Sequence, residues 1–177
     1  TLDSLVASGK VRYIGCSNFK AWQLCEAQWT SKSLGLTPFV SAQPRYSMLD
    51  RTPEAELVPF CQEYGVGILP YFPLENGFLT GKYKRGQAAP EGTRLAQNDR
   101  GMFTDAHFDI LEALESFASE RGHTILELAF AWLLATTAVS SVIAGATKPE
   151  QVVGNAKAAG WALSGEEMTE IDSLLGK

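Results

Sequence analysis

The sequence has 177 residues, of which 45% are hydrophobic and 20% are charged, so it can bury a sizeable core and is not expected to be disordered. A net charge of -5 without a basic tract argues against a nucleic acid partner, and no apolar run reaches the roughly 18 residues that a membrane span requires. The three cysteines, Cys16, Cys25 and Cys61, lack metal-ligand spacing, and an odd count without a CxxC pair favours packing roles in a reducing, cytoplasmic compartment.

The chain begins in helical sequence and then forms a strand that ends in polar residues. Thr1 to Lys10 predict the end of an amphipathic helix, and we expect an N-terminal portion to precede it. Val11 to Ile14 suit a buried strand, and Ser17 and Asn18 fall where this strand ends. That edge holds the ligand in parallel α/β proteins, and the two side chains suit a primary amide or a sugar hydroxyl. Alternatively, either residue only caps the following helix.

A second strand and helix pattern repeats this arrangement. The helical sequence Ala21 to Leu34 contains Trp22 and Trp29, which we expect in the core or in an interface. The short apolar run Phe39 to Gln43 predicts the second strand, and its last residue, Gln43, is polar. A possible ligand-binding side chain therefore again lies at a strand end.

The third strand is followed by a loop with the composition of an anion site. Thr52 and Pro53 predict the start of a helix that Gly65 closes. Val66 to Tyr71 predict the strand, and the loop from Leu74 to Lys82 is rich in glycine and ends in a cation. Its backbone amides are suited to a phosphate.

The remaining sequence predicts one long loop, one strand and four helices. Lys84 to Phe103 has no sustained apolar period, and a surface loop of this length is usually functional or mobile. The other predicted elements are a helix over Asp105–Arg121, a helix from Thr124 with Glu127 as its capping-box partner, a fourth strand over Val139–Ala144, a helix from Pro149, and a last helix from Ser164 to near Leu175 with Glu167 completing its capping box.

Four strands that are each followed by helical sequence predict a parallel sheet. Parallel pairing would gather Ser17, Asn18, Gln43 and Tyr71 at one face. A (β/α) barrel accounts for this pattern with roughly half of the usual 250 residues absent, whereas an open doubly wound sheet is the alternative. No GxGxxG sequence follows any strand, so we favour the barrel and predict one domain over residues 1–177.

Several motifs together resemble the aldo-keto reductase family. Their order and spacing match the C-terminal half of that family's (β/α)8 barrel, strands five to eight, over essentially the whole chain. The matching runs are Gly9 to Phe19 with its GCSNF end, Gln43 with Tyr46, Tyr71 to Leu74, Leu79 to Lys82, and Gly145 to Thr147 followed by Gln151 and Asn155.

The resemblance implies a binding site for a nicotinamide cofactor. It implies that Ser17, Asn18 and Gln43 bind the nicotinamide carboxamide, and that Tyr71 stacks on the nicotinamide ring. It also implies that the loop from Leu74 to Lys82 runs along the pyrophosphate, with Lys82 as a counter-charge. The other positions that it assigns to the cofactor are Gly145, Thr147 and Lys148, with Gln151 and Asn155 at the adenosine end.

The choice between the two nicotinamide dinucleotides depends on few residues. Lys148 near a helix start favours a ribose 2′-phosphate, so the expected cofactor is NADP(H). Three positions depart from the family: Phe72 stands where serine is common, Gly154 replaces a frequent glutamate, and Gly145 stands where some members have lysine. These departures weaken the choice of dinucleotide and leave the resemblance to the family unchanged.

The resemblance implies an enzyme that reduces aldehydes or ketones by hydride transfer. The family's catalytic tetrad lies on the first four strands, so no residue of this chain is assigned a catalytic role, and we expect the chain alone to be inactive. The alternative is a nucleotide-binding regulatory or scaffold subunit like the potassium-channel β-subunits. We expect a small carbonyl substrate, no nucleic acid or membrane partner, and either the missing N-terminal half or self-association through exposed barrel edges.

Overall fold

The computed structural model describes residues 1–176, which form an α/β chain with a parallel sheet in two compact units. The first unit contains residues Thr1–Tyr46, Asp50–Tyr71 and Thr136–Ile143. The second contains Ser47–Leu49, Phe72–Ala135 and the chain from Ala144 onward. That the chain forms one domain stays a prediction.

The first unit contains the sheet, whose three strands are parallel and follow the order β1, β2, β3. Its elements are α1 Leu2–Ala7, β1 Ile14–Ser17, α2 Ala21–Leu34, β2 Phe39–Gln43, a 3-10 turn Thr52–Ala55, α3 Leu57–Tyr64 and β3 Gly67–Ile68.

One face of this sheet is buried and the other is lined by small residues. Cys16, Ala42 and Ile68 lie in register across the three strands and belong to the core. The neighbouring row, Gly15, Ser41 and Gly67, faces the other way. A Cβ on Gly67 would lie 2.5 Å from the Oγ of Ser140, so this row has no room for larger side chains. In this row the sheet therefore carries only small side chains.

The fourth predicted strand, Val139–Ala144, is not a continuous strand. It pairs with the third strand segment through two isolated parallel bridges, Ile68 with Val139 and Tyr71 with Ile143. The ladder is interrupted because Pro70 lies between the two bridges and has no N–H to donate. Its carbonyl still accepts from the N–H of Ile143 at 2.9 Å. On the β2 side the ladder lacks a donor at Pro44, and β3 spans only two residues, where we expected a strand through Tyr71.

Two sets of apolar residues that were expected inside are exposed. Val11 and Tyr13 precede β1 rather than forming its buried part, and Tyr13 is 72% exposed. Trp22 and Trp29 are 59% and 49% exposed, so a core position was wrong for both, and an interface position stays a prediction. The buried residue of α2 is Leu24. One turn later, the Gln28 side chain forms hydrogen bonds with the backbone of Phe39 on β2, and both tryptophans lie away from this face of the helix.

The second unit is helical. Its elements are a 3-10 segment Glu75–Thr80, α4 Asp105–Glu120, α5 Ile125–Leu134, α6 Pro149–Ala158 and α7 Gly165–Leu174. Seven of the ten residues of α5 are buried, and α4 and α6 both pack against it. The capping boxes predicted at α5 and α7 are confirmed, with Thr124 paired to Glu127 and Ser164 paired to Glu167.

The segment 84–103 contains no helix or strand, as predicted, but its two ends are anchored. Arg85 forms ion pairs with Asp105, Asp109 and Glu112 on α4. Near the other end, the buried Leu95 donates its backbone N–H to the Oη of Tyr83 at 3.4 Å. A cluster of aromatic rings with centroids 5.4 to 6.3 Å apart holds the last part of the segment against α4: Phe78, Tyr83, Phe103 and Phe108.

Glu127 gives the first testable prediction, a pH-dependent contribution to stability. The backbone N–H and hydroxyl of Thr124 hold the pKa of the Glu127 carboxyl below its usual value. A lowered pKa means that the carboxylate stabilises the fold above the unfolded-state pKa and that this stabilisation is lost as pH falls through the folded-state pKa. Glu127→Gln should therefore lower the free energy of unfolding by about 0.5 to 1 kcal/mol at pH 7 and by less below pH ~4.

Urea unfolding at several pH values measures this effect. Glu91→Gln is the matched control, because Glu91 is exposed and its side chain forms no hydrogen bond within residues 1–176. A loss that stays constant between pH 7 and pH ~3.5 would contradict the capping role of the carboxylate.

Candidate functional site

The ends of the strands in the first unit bring four predicted site residues together, and we call Ser17, Asn18, Gln43 and Tyr71 the strand-end cluster. Ser17 pairs with Gln43 in the sheet, and its Oγ donates to the Gln43 backbone carbonyl at 3.0 Å. The backbone N–H of Asn18 donates to the same carbonyl at 3.2 Å. The Oη of Tyr71 donates to Oδ1 of Asn18 at 2.9 Å. These contacts give the cluster one defined geometry.

Asn18 turns away from the strand because its backbone is left-handed, with φ of 57°. Asparagine tolerates this conformation better than most residues. Helix α2 begins two residues later, where Lys20 is the N-cap and its backbone N–H donates to the Gln23 side chain at 2.9 Å. The alternative that Ser17 or Asn18 only caps this helix is therefore wrong.

The strand-end cluster has the chemistry to bind a primary amide. The Nδ2 of Asn18 is a donor, while its Oδ1 accepts from Tyr71. The half-buried side chain of Gln43 makes no hydrogen bond within residues 1–176, so it offers both a donor and an acceptor. A carboxamide needs both kinds of partner, and the aromatic face of Tyr71 is suited to a flat ring.

Phe72–Lys82 in the second unit forms what we call the left-handed loop. Positive φ values occur at Phe72 (56°), Glu75 (43°), Asn76 (58°) and Gly77 (90°). Turns close the loop, with the N–H of Gly77 donating to the carbonyl of Leu74 at 2.8 Å. Leu74, with φ of -108° and ψ of 14°, is followed by positive φ at Glu75, a change of hand that occurs in anion-binding nests.

Lys82 lies directly over this loop. A Cβ on Gly77 would be 2.6 Å from the Nζ of Lys82, so a larger residue would have to move the ammonium group from this position. The ammonium is also 5.2 Å from the ring centroid of Tyr83. The Lys82 ammonium can pair with a phosphate group, whereas the backbone N–H groups of Glu75, Gly77 and Leu79 already donate to carbonyls of the loop itself.

The segment from Gly145 to Asn155, also in the second unit, is held by a predicted site residue. Oε1 of Gln151 accepts from the backbone N–H of Thr147 at 2.7 Å and from its hydroxyl at 3.2 Å. Lys148 is the exposed N-cap of α6, and the two glycines of the segment, Gly145 and Gly154, have open space where a Cβ would stand. This helix start combines a positive dipole end, a lysine and open space, which suits an anion.

One basic residue near the left-handed loop was missed by the sequence analysis. The guanidinium of Arg94 lies 5.8 Å from the ring centroid of Phe72. Arg94 lies in the aperiodic segment 84–103, where no pattern of sequence marks a single arginine. In addition to Lys82, Arg94 is thus a second cation near the left-handed loop.

The cysteines have the environment of packing residues. Burial raises the pKa of the Cys16 thiol, and burial raises that of Cys61 to about 11, so both stay protonated near neutral pH. Among residues 1–176 there is no group of three or more side chains that could hold a metal ion. No helix in the same range is long and apolar enough to cross a membrane.

Comparison with known proteins identifies the family. A sequence model described as the aldo/keto reductase family matches residues 1–175. The chain belongs to the aldo-keto reductase family. The resemblance inferred from the motifs is thus confirmed. Members of this family generally use NAD(P)H and have a (β/α)8 barrel, with which the parallel α/β arrangement of this chain agrees. That the chain supplies one half of such a barrel stays a prediction.

The relatives of this aldo-keto reductase chain include enzymes and channel subunits. It is 33% identical over 172 residues to the uncharacterized oxidoreductase YrpG of Bacillus subtilis, covering 97% of this chain and 51% of that protein. It is 32% identical over 183 residues to L-glyceraldehyde 3-phosphate reductase of Escherichia coli K12, with coverage of 97% and 51%. A probable voltage-gated potassium channel subunit beta of Oryza sativa is 34% identical over 162 residues, with coverage of 89% and 49%. The chain therefore spans about half the length of the curated relatives it matches.

The second prediction tests the contact between Gly77 and Lys82. Gly77→Ala should lower the free energy of unfolding by about 1 kcal/mol for the positive φ, plus a further amount because the new Cβ displaces the Lys82 ammonium. Gly86→Ala is the matched control, because Gly86 also has positive φ but no atom within 4 Å of its Cβ position.

Urea unfolding of single and double variants measures both contributions. In a Lys82→Ala background, Gly77→Ala should cost no more than Gly86→Ala does. A cost for Gly77→Ala that is the same with and without Lys82 would show that the ammonium does not occupy this position.

Proposed function

We propose that this chain is the C-terminal, cofactor-binding part of a cytoplasmic, NADP(H)-dependent aldo-keto reductase that reduces aldehydes or ketones to alcohols. The strand-end cluster is the observation that carries this proposal, because it combines amide donors, amide acceptors and one aromatic face at the ends of parallel strands. The bound nicotinamide supplies the hydride. The residues of this chain bind and orient it.

The second unit supports the same proposal through its two anion-binding features. The left-handed loop, with Leu74 and Lys82, would hold the pyrophosphate, and Arg94 adds charge there. The start of α6 would hold the adenosine end, with Lys148 beside the 2′-phosphate. The same region contains Gly145, Thr147, Gln151 and Asn155. The hydrogen bond from the Thr147 N–H to Gln151 would hold the backbone there, and Gly145 leaves open space where a Cβ would stand.

The substrate and partner follow from the same proposal. The substrate is a small carbonyl compound, and the catalytic tetrad belongs to the N-terminal half of the reductase. Within the described sheet, β1 pairs with β2 alone, so its other edge is open. We propose that the N-terminal half, or a second copy of this chain, pairs along this edge, because an unpaired strand offers a row of backbone donors and acceptors.

The similarity to the channel subunit supports a second candidate function, a nucleotide-binding subunit with little turnover. Both candidates require the cofactor, so binding alone does not separate them. In the parent reductase, by which we mean the longer protein proposed to contain this chain, NADPH oxidation in the presence of an aldehyde separates them. Binding without oxidation would favour the subunit function.

The third prediction tests the strand-end cluster. In the parent reductase, Asn18→Ala should weaken NADPH binding by about 1 to 3 kcal/mol, because the nicotinamide carboxamide loses a hydrogen-bond partner. Fluorescence titration measures the dissociation constant.

The controls for this prediction separate the side chain from the backbone. Asn18→Gly removes the side chain but keeps the left-handed backbone, so it should weaken NADPH by a similar amount. Gln87→Ala, an exposed change in the segment 84–103, should have no effect. Wild-type affinity in Asn18→Gly would remove Asn18 from the site.

The fourth prediction concerns the choice of dinucleotide. Lys148→Ala should weaken NADPH more than NADH, because only NADPH carries the 2′-phosphate that the ammonium would neutralise. Lys157→Ala is the control, since Lys157 lies in the last turn of the same helix. Equal losses for NADPH and NADH, measured by titration with each, would exclude Lys148 from the phosphate site.

A further inference from the structure

The left-handed loop, Phe72–Lys82, adopts a backbone that its own side chains oppose. Phe72, Glu75 and Asn76 all have positive φ, which costs about 1 to 2 kcal/mol at residues such as Phe72 and Glu75 and less at asparagine. Backbone strain of this kind persists only where surrounding contacts hold it, and it concentrates at functional sites. The contacts that hold the loop are therefore part of any function that it performs.

The second half of the loop is held by apolar packing. Phe78 and Leu79 are fully buried, and the ring of Phe78 lies 5.5 Å from that of Phe108 on α4. The hydroxyl of Thr80 donates to the Gly77 carbonyl at 2.7 Å. These contacts fix residues 77–80, which follow the two strained residues Glu75 and Asn76.

The first half of the loop is bonded to a distant piece of chain, Ser47. Ser47 is fully buried and Glu75 is 1% exposed, so both polar side chains lie away from water. The Ser47 Oγ donates to Oε1 of Glu75 at 2.7 Å and accepts from the backbone N–H of Leu49 at 3.2 Å. A hydroxyl that accepts an amide proton while donating to a carboxylate forms a stronger bond than either interaction alone would give.

We propose that Ser47 and Glu75 are positioning residues, whose hydrogen bond holds the left-handed loop in the conformation that places the Lys82 ammonium toward the cofactor phosphates. The identity of the bound anion rests on the proposed function, whereas the tether itself does not. Glu75 is the residue at which φ becomes positive after Leu74, and its N–H closes a turn by donating to the Phe72 carbonyl at 3.1 Å. A carboxylate fixed at this point therefore fixes the turn.

Backbone hydrogen exchange in the 177-residue chain tests the tether without any cofactor. Ser47→Ala and Glu75→Ala should each speed exchange of the amides of residues 74–77 by about ten-fold, the change expected for the loss of one buried hydrogen bond. Unchanged exchange at residues 74–77 in both variants would overturn the proposal.

The double variant separates a specific pair from two independent effects. If the two side chains act through their mutual hydrogen bond, Ser47→Ala with Glu75→Ala should speed exchange no more than the larger single effect. Effects that multiply would show that the two residues act separately. Ser119→Ala and Glu166→Ala are the matched controls, because both residues are exposed and their side chains form no hydrogen bond within the described chain.

Glu75→Gln keeps the proposal testable if Glu75→Ala fails to fold. Glutamine keeps an acceptor oxygen for the Ser47 hydroxyl but not the charge, so exchange of residues 74–77 should fall between the wild-type rate and that of Ser47→Ala. Exchange in Glu75→Gln faster than in Ser47→Ala would show that the hydrogen bond between the two residues does not govern the loop.

Titration with inorganic pyrophosphate and with NADPH tests the functional half of the proposal. Ser47→Ala should weaken both by about ten-fold, whereas Ser119→Ala should weaken neither. Faster exchange with wild-type affinity for both would refute the positioning role. If the wild-type chain and the parent reductase bind neither compound, the proposed function fails, and the exchange experiment still decides whether the tether exists.

Discussion

The parallel register between β1 and β2 is the constraint on which the candidate site depends. It places Ser17 beside Gln43, and it lets one backbone carbonyl accept from both Ser17 and Asn18. A slip of one residue would exchange the buried and open faces of the strand. Gly15 protects this register, because any side chain there would meet the Ser41 hydroxyl at 2.3 Å from its Cβ. Gly15 is not a predicted binding residue, but through the register it determines the positions of the amide-binding side chains.

Local signals predicted most of the helices, and non-local contacts explain the errors. The bounds of α2 and the capping boxes of α5 and α7 depend on residues within one turn of each other, so the sequence alone reveals them. A continuous fourth strand would need backbone N–H donors on the neighbouring strand segment, and Pro70 in that segment has no N–H. Local apolar character also says nothing about which elements cover a side chain, which is why Tyr13 and the two tryptophans were misplaced.

In the candidate site, too, local sequence patterns predicted some residues and contacts with distant parts of the chain decided the others. The strand-end cluster was predictable, because parallel strands bring their carboxyl ends to one edge and the motif places polar residues there. Arg94 and Ser47 were not predictable, since each reaches the left-handed loop from a remote part of the chain. The positive φ of Phe72 and Glu75 was also hidden, because neither residue type favours that conformation. Contacts with distant parts of the chain must therefore hold these strained residues, and the local sequence does not predict such contacts.

The two ends of the segment 84–103 respond differently to ionic strength. Arg85 is partly exposed, and its three carboxylate partners are more exposed still, so dissolved ions screen these pairs at moderate salt. The Tyr83 and Leu95 contact and the aromatic cluster are buried, and their strength does not depend on screening. Rising salt should therefore loosen the segment from its first residues, while Arg94 and the residues after it stay close to the left-handed loop.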